Sequence, residues 1–328
     1  MLFRPDLTRI YIQQFIEGMK VLVTGGAGYL GSILVPMLLK KGHDVTVYDT
    51  LRWGVNSLIH VANNSRLRIV KGDIKDRKHI ADEISLQDAI IHLAAIVGYP
   101  ACDANPDSAL DTNISGTRNI AEFKSSNQIL IYACTGSCYG AIDGNCTENT
   151  KLNPLTLYGK SKASGEEIIR SVGGISLRLA TLFGLSTRMR LDLLVNDLTY
   201  KAFECKNIEL YEGDFRRTFL HVRDAAEAFI FALENEQNMS GEAYNVGDEN
   251  LNMTKYNVAQ IIQKLIPDCS ITQTYSTHDK DKRDYEVSYK KINDLGYRNK
   301  ISIEEGIREM LRVFPFLSVG EPLQYCNI

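Results

Sequence analysis

Two side chains that can act together in proton transfer stand four residues apart in the segment 157–162. At that spacing Tyr158 and Lys162 fall on one face of a helix, so the ammonium can lie beside the phenol and lower its pKa. A free phenol titrates near ~10 and is a poor base at neutral pH, so a proton-transfer role requires such a neighbour. The pair predicts a tuned acid/base group, provided that other elements bring a reacting partner to it.

A glycine-rich turn far upstream in the sequence predicts a bound dinucleotide as the reacting partner. Residues 20–24 form a β-branched run that leads into 25–31 (Gly-Gly-Ala-Gly-Tyr-Leu-Gly), and a helical apolar pattern follows. Gly25 permits the turn, Gly28 lets the backbone approach a pyrophosphate, and Gly31 lets helix and strand pack closely. The helix N-terminus adds N–H donors. The order of strand, turn and helix predicts a dinucleotide site that includes Tyr29 and Leu30.

The second predicted strand, 44–48, ends at Asp49, about 20 residues beyond the turn. A carboxylate there accepts the ribose hydroxyls of NAD and repels the 2′-phosphate of NADP. Arg52 follows closely and is able to attract such a phosphate. The residues therefore favour NAD and leave NADP open.

Apolar runs at 67–70, 89–95 and 129–133 alternate with helical segments and predict a parallel, doubly wound sheet, that is, an α/β fold of the Rossmann type. Ligands gather at the carboxyl ends of such strands. The residues at or just beyond these ends are Asp73, Ile74, Leu93, Ala94, Ala95 and Thr135. His92 lies inside an apolar run and is interpreted as a core histidine.

The length, net charge and cysteine content of the chain disfavour several classes of partner and site. The chain has 328 residues, a net charge of −3 and a pI near 6.1, which disfavours nucleic acid and anionic membranes as partners. No membrane span or secretory signal is recognisable, and residues 1–18 form an N-terminal extension without identifiable chemistry. The seven cysteines show no CxxC pair, so we expect reduced thiols, no metal site and a cytoplasmic location.

These residues resemble the extended short-chain dehydrogenase/reductases, the NAD-dependent epimerase/dehydratase family that acts on nucleotide sugars. The resemblance covers nearly the whole chain from Lys20 onward. The matching stretches are 25–31, Asp49, 72–74, 92–95, 113–117, 132–140, 153–154 before 158–162, Arg178, Arg217 with 221–224, 244–247, and 283–284.

The resemblance implies a role for each catalytic residue. Thr135 would bind the reacting sugar oxygen, Tyr158 would be the acid/base, and Lys162 would hold the nicotinamide ribose. Asn113 would order the NAD site. Removing hydride from a sugar carbon also requires removing its hydroxyl proton, which agrees with this assignment. NAD is the implied cofactor and a nucleotide-diphosphate sugar the implied substrate.

Arginines become frequent after residue 184, and a guanidinium donates bidentately to phosphate. The resemblance implies that Arg217 and Arg283 bind the diphosphate, with Arg190 a further candidate. Thr181 stands at a substrate position where galactose-type 4-epimerases commonly have Asn. The predicted units are the extension 1–18, an NAD-binding Rossmann domain of 19–185 with 219–247, and a smaller, discontinuous C-terminal α/β substrate domain of 186–218 with 248–328.

The reaction is narrowed by departures from family branches. Gly136 and Ser137 follow Thr135 where 4,6-dehydratases carry Asp and Glu, and the Cys and His of the fucose-synthase-like epimerase-reductases are also missing. Oxidation at a sugar carbon, C4, is left, followed by release of the ketone or by return of hydride as in a UDP-glucose 4-epimerase. The runs 188–197, 215–217 and 282–285 resemble bacterial enzymes that oxidise C4 of GDP-manno-heptose for capsule sugars. A non-catalytic NAD-binding protein is the remote alternative.

Family members commonly dimerise through the helix after Pro106 and the helix that carries Tyr158, so a homodimer is expected. Apolar residues on these helices fit either an interface or the core; they are Ile114, Ile120, Ala121, Ile168 and Ile169.

Overall fold

The structure, a computed structural model, describes residues 18–142, 144–274, 286–317 and 325–327. All of the predicted extension except Gly18 lies outside these ranges, and so does Arg283. The strands are β1 Lys20–Thr24, β2 Asp44–Asp49, β3 Leu67–Lys71, β4 Ala89–His92, β5 Ile129–Thr135, β6 Asn145–Cys146, β7 Ile175–Leu179, β8 Thr181–Phe183, β9 Asn207–Tyr211, β10 Arg216–His221, β11 Ala243–Val246, β12 Asn252–Thr254, β13 Ser270–Thr274 and β14 Glu286–Val287.

Seven of the strands form one parallel sheet in the order β11-β7-β5-β4-β1-β2-β3. The central strands are buried on both faces, because helices cover both sides of a sheet that the chain crosses in parallel. Strand order reverses between β1 and β4, which leaves a crevice at the carboxyl ends of these two strands. The predicted Rossmann-type α/β fold is confirmed.

The helices lie between these strands and in the C-terminal half. Apart from the 3₁₀ and π-helical segments, they are α1 Gly31–Lys40, α2 Arg77–Ile84, α3 Tyr99–Ala104, α4 Pro106–Leu110, α5 Thr117–Phe123, α6 Leu157–Ser171, α7 Leu194–Cys205, α8 Val222–Glu234, α9 Glu236–Met239, α10 Lys255–Leu265, α11 Lys290–Asp294 and α12 Ile303–Val313. A π-helical segment, Asp111–Gly116, joins α4 to α5, and 3₁₀ segments occupy Asn56–Val61, Gly136–Cys138, Glu249–Leu251 and Phe314–Phe316.

The main sheet has a separate apolar core on each face. On one face α1 and α8 pack together through residues such as Leu34, Leu38 and Phe229. On the other face Ile80, Ile120 and Ile169 pack against the strands. Burial within the chain accounts for Ile120, Ala121 and Ile169, three of the residues that also fit a dimer interface.

A further core lies beyond the main sheet. It is built from α7, α10 and α12 with residues of β8, β9 and β10, including Phe183, Ile208 and Phe219. Strand β10 pairs with β8 in parallel and with β12 antiparallel, and β9 pairs with β13. Helix α8 and β11 return to the main sheet, so the chain passes between the two cores more than once.

Candidate active site

A cleft of about 910 Å³ opens at the carboxyl ends of the main strands. It is lined by most of the residues that the sequence predicts for cofactor, catalysis and substrate. These are Gly25, Gly28, Tyr29, Leu30, Gly31, Asp49, Asp73, Ile74, Leu93, Ala94, Ala95, Thr135, Tyr158, Lys162, Thr181, Arg190 and Arg217. Two predicted residues are not part of this lining: Asn113 lies behind it, and Arg283 is outside the described residues.

The glycine turn between β1 and α1 has no room for larger side chains. A Cβ on Gly25, whose φ is +72°, would lie 2.7 Å from the Ala94 nitrogen. A Cβ on Gly31 would lie 2.5 Å from the Gly25 carbonyl oxygen. Helix α1 begins without a side-chain cap at Leu30, and Leu30 and Gly31 line the cleft, so the positive end of the helix dipole is available there to an anion. This cradle fits the pyrophosphate of NAD.

The Tyr29 side chain does not stay within the turn. Its hydroxyl donates to the Gly184 carbonyl (2.7 Å) and accepts from the Asn196 amide (3.3 Å). Asn196 is fully buried and also bonds the Gly184 nitrogen and the Arg190 carbonyl. The glycine turn is thereby tied to the segment that carries the candidate substrate residues.

Asp49 ends β2 beside the turn, as predicted. Its carboxylate accepts the N–H groups of Ala27 (3.1 Å) and Leu51 (2.8 Å). Burial raises the pKa of Asp49, and these two hydrogen bonds partly offset the rise. The carboxylate is therefore fixed at the position where a ribose would lie. Asp73 and Ile74 follow β3 at the same end of the sheet.

His92 is a buried core residue, as predicted, and it organises the loop after β4. The Ala94 N–H donates to the Thr24 hydroxyl (3.3 Å), which donates to His92 Nδ1 (2.7 Å). His92 Nε2 then donates to Thr117 (3.0 Å), whose hydroxyl donates to the Asn113 carbonyl (2.7 Å). Burial lowers the pKa of His92 to about 3, so the ring stays neutral in this chain of bonds.

Asn113 connects that loop to the helix of the catalytic pair. Its amide bonds both backbone groups of Ile96, at 2.8 and 2.9 Å, and donates to the Ser161 hydroxyl at 3.0 Å. Ser161 lies on α6 between Tyr158 and Lys162. Asn113 therefore positions the backbone around the cleft from behind.

Thr135 is the last residue of β5. Its hydroxyl accepts from the Ser137 N–H (3.2 Å) and donates to the Ser137 hydroxyl (3.1 Å). A hydroxyl oxygen has two lone pairs, so the second remains for a donor in the cleft. Thr135 is thus suited to hold a sugar hydroxyl.

Tyr158 and Lys162 share one face of α6, whose N-terminus is capped by Thr156. The predicted lowering of the tyrosine pKa is wrong in direction. Burial raises the pKa of Tyr158, nearby thiols add to the rise, and Arg190 partly offsets it. Partial desolvation of the phenol in the cleft outweighs the opposing charge of Arg190. Lys162 is 2% exposed, and its ammonium lies over the Tyr132 ring.

Helix α6 is anchored by a buried ion pair. Arg178 on β7 contacts Glu166 at 2.5 and 3.0 Å, both side chains are 3% exposed, and Ser176 also donates to Glu166. We expect Arg178→Met to lower the free energy of unfolding by about 3–5 kcal/mol, because it leaves a buried carboxylate without its partner. Urea unfolding measures this loss.

The double variant Glu166→Gln with Arg178→Met is the control for that substitution. It removes the unpaired charge and should recover part of the stability. A single Arg178→Met variant within about 1 kcal/mol of the unaltered protein would contradict a structural role for the pair.

The candidate substrate residues occupy different surroundings. Arg190 pairs bidentately with Asp192 at 3.0 and 2.6 Å, and both line the cleft. Arg217 is 4% exposed on β10 and also reaches the cleft. Thr181 begins β8. The structure thus brings two guanidinium groups and a hydroxyl to the cleft that contains Tyr158.

The sequence assigns no individual role to three side chains that line the cleft or support it: Arg188, Trp53 and Tyr132. Arg188 is buried and stacks on Trp53 at 4.6 Å, which fixes the loop after Asp49. Tyr132 contacts Lys162 from beneath. The only sequence signal for these residues is local: Arg188 stands in the same charged run as Arg190, and Tyr132 is three positions before Thr135.

Two kinds of feature are absent from the described ranges: a cluster of metal ligands and a membrane-spanning helix. Within these ranges, no three His, Cys, Asp or Glu side chains cluster as metal ligands would. The helices of the same ranges are all too short or too polar to cross a bilayer. All seven cysteines are free thiols.

Comparison with known proteins agrees with this geometry. The model of the NAD dependent epimerase/dehydratase family matches residues 21–247. A CDP-paratose 2-epimerase from Salmonella typhi is 26% identical over 340 residues, which cover 89% of this chain and 98% of the relative.

Solved structures of similar proteins share the fold. A dTDP-glucose 4,6-dehydratase from Streptomyces venezuelae, solved with NAD bound, has a TM-score of 0.82 and 27% identity and covers 93% of this chain and 100% of its own. A UDP-glucuronic acid 4-epimerase from Bacillus cereus, in complex with UDP-glucuronic acid and NAD, has a TM-score of 0.81 and 25% identity, with 90% and 99% coverage.

Proposed function

The chain belongs to the NAD dependent epimerase/dehydratase family, and on that premise we propose that it oxidises C4 of a nucleotide sugar to a ketone. It is an enzyme, and NAD is its cofactor. The observation that carries the proposal is that Thr135, Tyr158 and Lys162 line the same cleft as the glycine turn. These residue types at that place suit removal of a proton and a hydride from a secondary alcohol.

When held by the glycine turn and Asp49, NAD⁺ would supply the acceptor for the hydride of the sugar C–H bond and a positive charge at the site. The residues of the chain bind the reacting hydroxyl group and accept its proton. Thr135 holds the sugar oxygen, and Tyr158, once deprotonated, takes the hydroxyl proton as the C–O bond becomes a carbonyl. Lys162 supplies the nearby cation that favours the phenolate. The backbone held by Asn113 keeps this group in register with the loop after β4.

The positions beside Thr135 argue against elimination of water. Dehydratases of this family carry Asp and Glu there, whereas this chain has Gly136 and Ser137. Ser137 instead bonds the Thr135 hydroxyl. A serine hydroxyl and a glycine do not provide the extra acid and base that loss of water needs. Oxidation without elimination is therefore the favoured reaction.

For the substrate we propose a GDP-sugar, GDP-manno-heptose or a close relative, used for capsule sugars. Support comes from the run 188–197, in which Arg190 and Asp192 face the cleft, and from Arg217. A C4 epimerase that returns the hydride to the other face is the alternative, since it uses the same three catalytic groups. The relatives named above have names that refer to CDP, dTDP and UDP sugars, so the test compares several nucleotides.

Product mass separates the two reactions. The enzyme is incubated with NAD, a carbonyl hydride acceptor and a panel of GDP-, UDP- and dTDP-sugars that includes GDP-heptose. We expect one substrate to lose two hydrogens. A substrate deuterated at C4 should then transfer its label to the cofactor.

An unchanged mass with a new chromatographic peak and retained deuterium would make the enzyme an epimerase. No conversion of any sugar by the NAD-loaded enzyme would overturn the proposal. The Tyr158→Phe variant, run in parallel, controls for contaminating activity.

We further propose that the enzyme is a cytoplasmic homodimer with the two-domain division predicted from the sequence. Free thiols at all seven cysteines support a reducing compartment. Leu110 on α4 is 37% exposed and lies on the helix pair expected at the dimer interface. The two separate cores support the division into domains.

A further inference from the structure

Lys162 is buried, and no side chain in the described part of the chain acts as its counter-ion. The residue is 2% exposed, and burial lowers the pKa of its ammonium to about 8. Among the residues that the structure describes, none forms an ion pair or a hydrogen bond with Nζ. A buried ammonium in such surroundings is costly, so something else must stabilise it.

The group that contacts this ammonium is an aromatic ring. Nζ lies 4.0 Å from the centroid of the Tyr132 ring, and Tyr132 is itself 1% exposed. The face of an aromatic ring carries negative quadrupole density that attracts a cation, and the attraction grows when water is excluded. Tyr132 is on β5, three residues before Thr135. The same strand therefore carries the ring that contacts Lys162 and the threonine proposed to bind the sugar oxygen.

The ring is held in place from several sides. A Cβ on Gly165, one turn after Lys162, would lie 2.3 Å from the Tyr132 hydroxyl oxygen, so α6 fits over the ring only because residue 165 is glycine. The His92 ring packs at 5.5 Å and is fixed by two threonines. The Tyr132 hydroxyl has no hydrogen-bond partner within the described ranges. The ring of Tyr132 therefore makes the contact with Lys162, whereas its hydroxyl makes no hydrogen bond with the described residues.

We propose that Tyr132 is a positioning residue whose ring face holds the Lys162 ammonium charged and fixed beneath the cleft. The proposal rests on the proposed function in one respect: it takes Lys162 as a member of the catalytic group. It predicts that an aromatic face at residue 132 matters and that the tyrosine hydroxyl does not.

The other titratable groups around Lys162 do not replace the ring. The thiols of Cys102, Cys134 and Cys138 face it, and burial raises the pKa of Cys102 to about 11 and that of Cys134 further. The raised pKa of Tyr158 and the lowered pKa of His92 keep both side chains uncharged at neutral pH. On the next turn of α6, the Glu166 carboxylate is bound by Arg178.

The test is a direct titration of Lys162. The Cε and Nζ resonances of isotope-labelled lysine are followed against pH, with the Lys162 signal assigned from its absence in Lys162→Met. We expect the pKa of Lys162 in Tyr132→Phe to lie within about 0.3 pH units of its value in the unaltered protein. In Tyr132→Leu we expect the pKa of Lys162 to be about one pH unit lower, since a desolvated cation–π contact is of that size. The pKa of Lys162 falls when the ring is removed because the ring stabilises the charged ammonium.

A shape-matched series guards against misfolding. Phenylalanine, 4-fluorophenylalanine and 3,4,5-trifluorophenylalanine at position 132 have nearly the same shape and a progressively weaker ring quadrupole. The Lys162 pKa should fall along this series. Equal pKa values across it, or equal values in Tyr132→Leu and Tyr132→Phe, would overturn the inference.

Activity and cofactor affinity give the second readout. The alkaline limb of the pH profile of kcat/KM should move to lower pH in Tyr132→Leu and in the trifluorinated protein, and NAD affinity above pH 8 should weaken with it. If Tyr158→Phe keeps full turnover, the proposed function fails whatever Lys162 does. If Tyr158→Phe is inactive and the pKa of Lys162 is the same with and without the ring at position 132, only the role proposed for Tyr132 fails.

Discussion

The Tyr158→Phe enzyme is expected to bind NAD as tightly as the unaltered enzyme and to turn over its nucleotide sugar about a thousandfold more slowly. Phenylalanine keeps the ring that fills the start of α6 and removes only the atom that accepts the sugar proton. Burial raises the pKa of Tyr158, so the phenolate needs both Lys162 and the charge of the bound cofactor to form. Single-turnover kinetics and calorimetric NAD titration measure the two quantities separately.

Two companion variants sharpen this prediction. Lys162→Met removes the cation and should lower both turnover and NAD affinity, because its position suits the ribose as well as the phenol. Thr135→Val keeps the shape and removes the hydroxyl, so it should slow turnover while NAD affinity stays unchanged. A Tyr158→Phe enzyme with near-normal turnover would remove Tyr158 from the mechanism and favour a role confined to NAD binding.

Local patterns in the sequence predict much of this site. The glycine turn, Asp49 and the residues after β3 and β4 depend on a strand, a turn and the start of a helix, all close in sequence. Parallel strands then bring their carboxyl ends to one edge, so residues such as Asp73 and Thr135 reach the same cleft without further information. The predicted fold class is confirmed for the same reason.

Features that depend on packing between distant segments are not predicted. The raised pKa of Tyr158 follows from desolvation and from the thiols of Cys134 and Cys138, and spacing along α6 carries no information about these surroundings. The contact of Lys162 with Tyr132 joins residues thirty positions apart. Asn113 lies in a π-helical segment and acts through the Ile96 backbone and Ser161, which no local pattern indicates.

The glycine turn itself carries the second large expected effect. Gly31→Ala should weaken NAD binding by about a hundredfold or more and lower the free energy of unfolding by about 1–3 kcal/mol. The added Cβ would lie 2.5 Å from the Gly25 carbonyl oxygen and 2.6 Å from the Gly26 Cα, and both are backbone atoms that cannot rotate away. Helix α1 must therefore shift away from the turn, which displaces the N–H groups that face the pyrophosphate.

Gly28→Ala is the matched comparison within the same turn. Its Cβ would meet only the Gly25 carbonyl oxygen, at 3.1 Å, so a movement of a few tenths of an ångström relieves the contact. The variant should unfold at nearly the urea concentration of the unaltered protein and lose NAD affinity alone, since residue 28 lines the cleft. Equal stability and equal NAD affinity in the Gly31→Ala and unaltered proteins would show that α1 can move without disturbing the cofactor site. The close approach of helix and turn would then have no role in NAD binding.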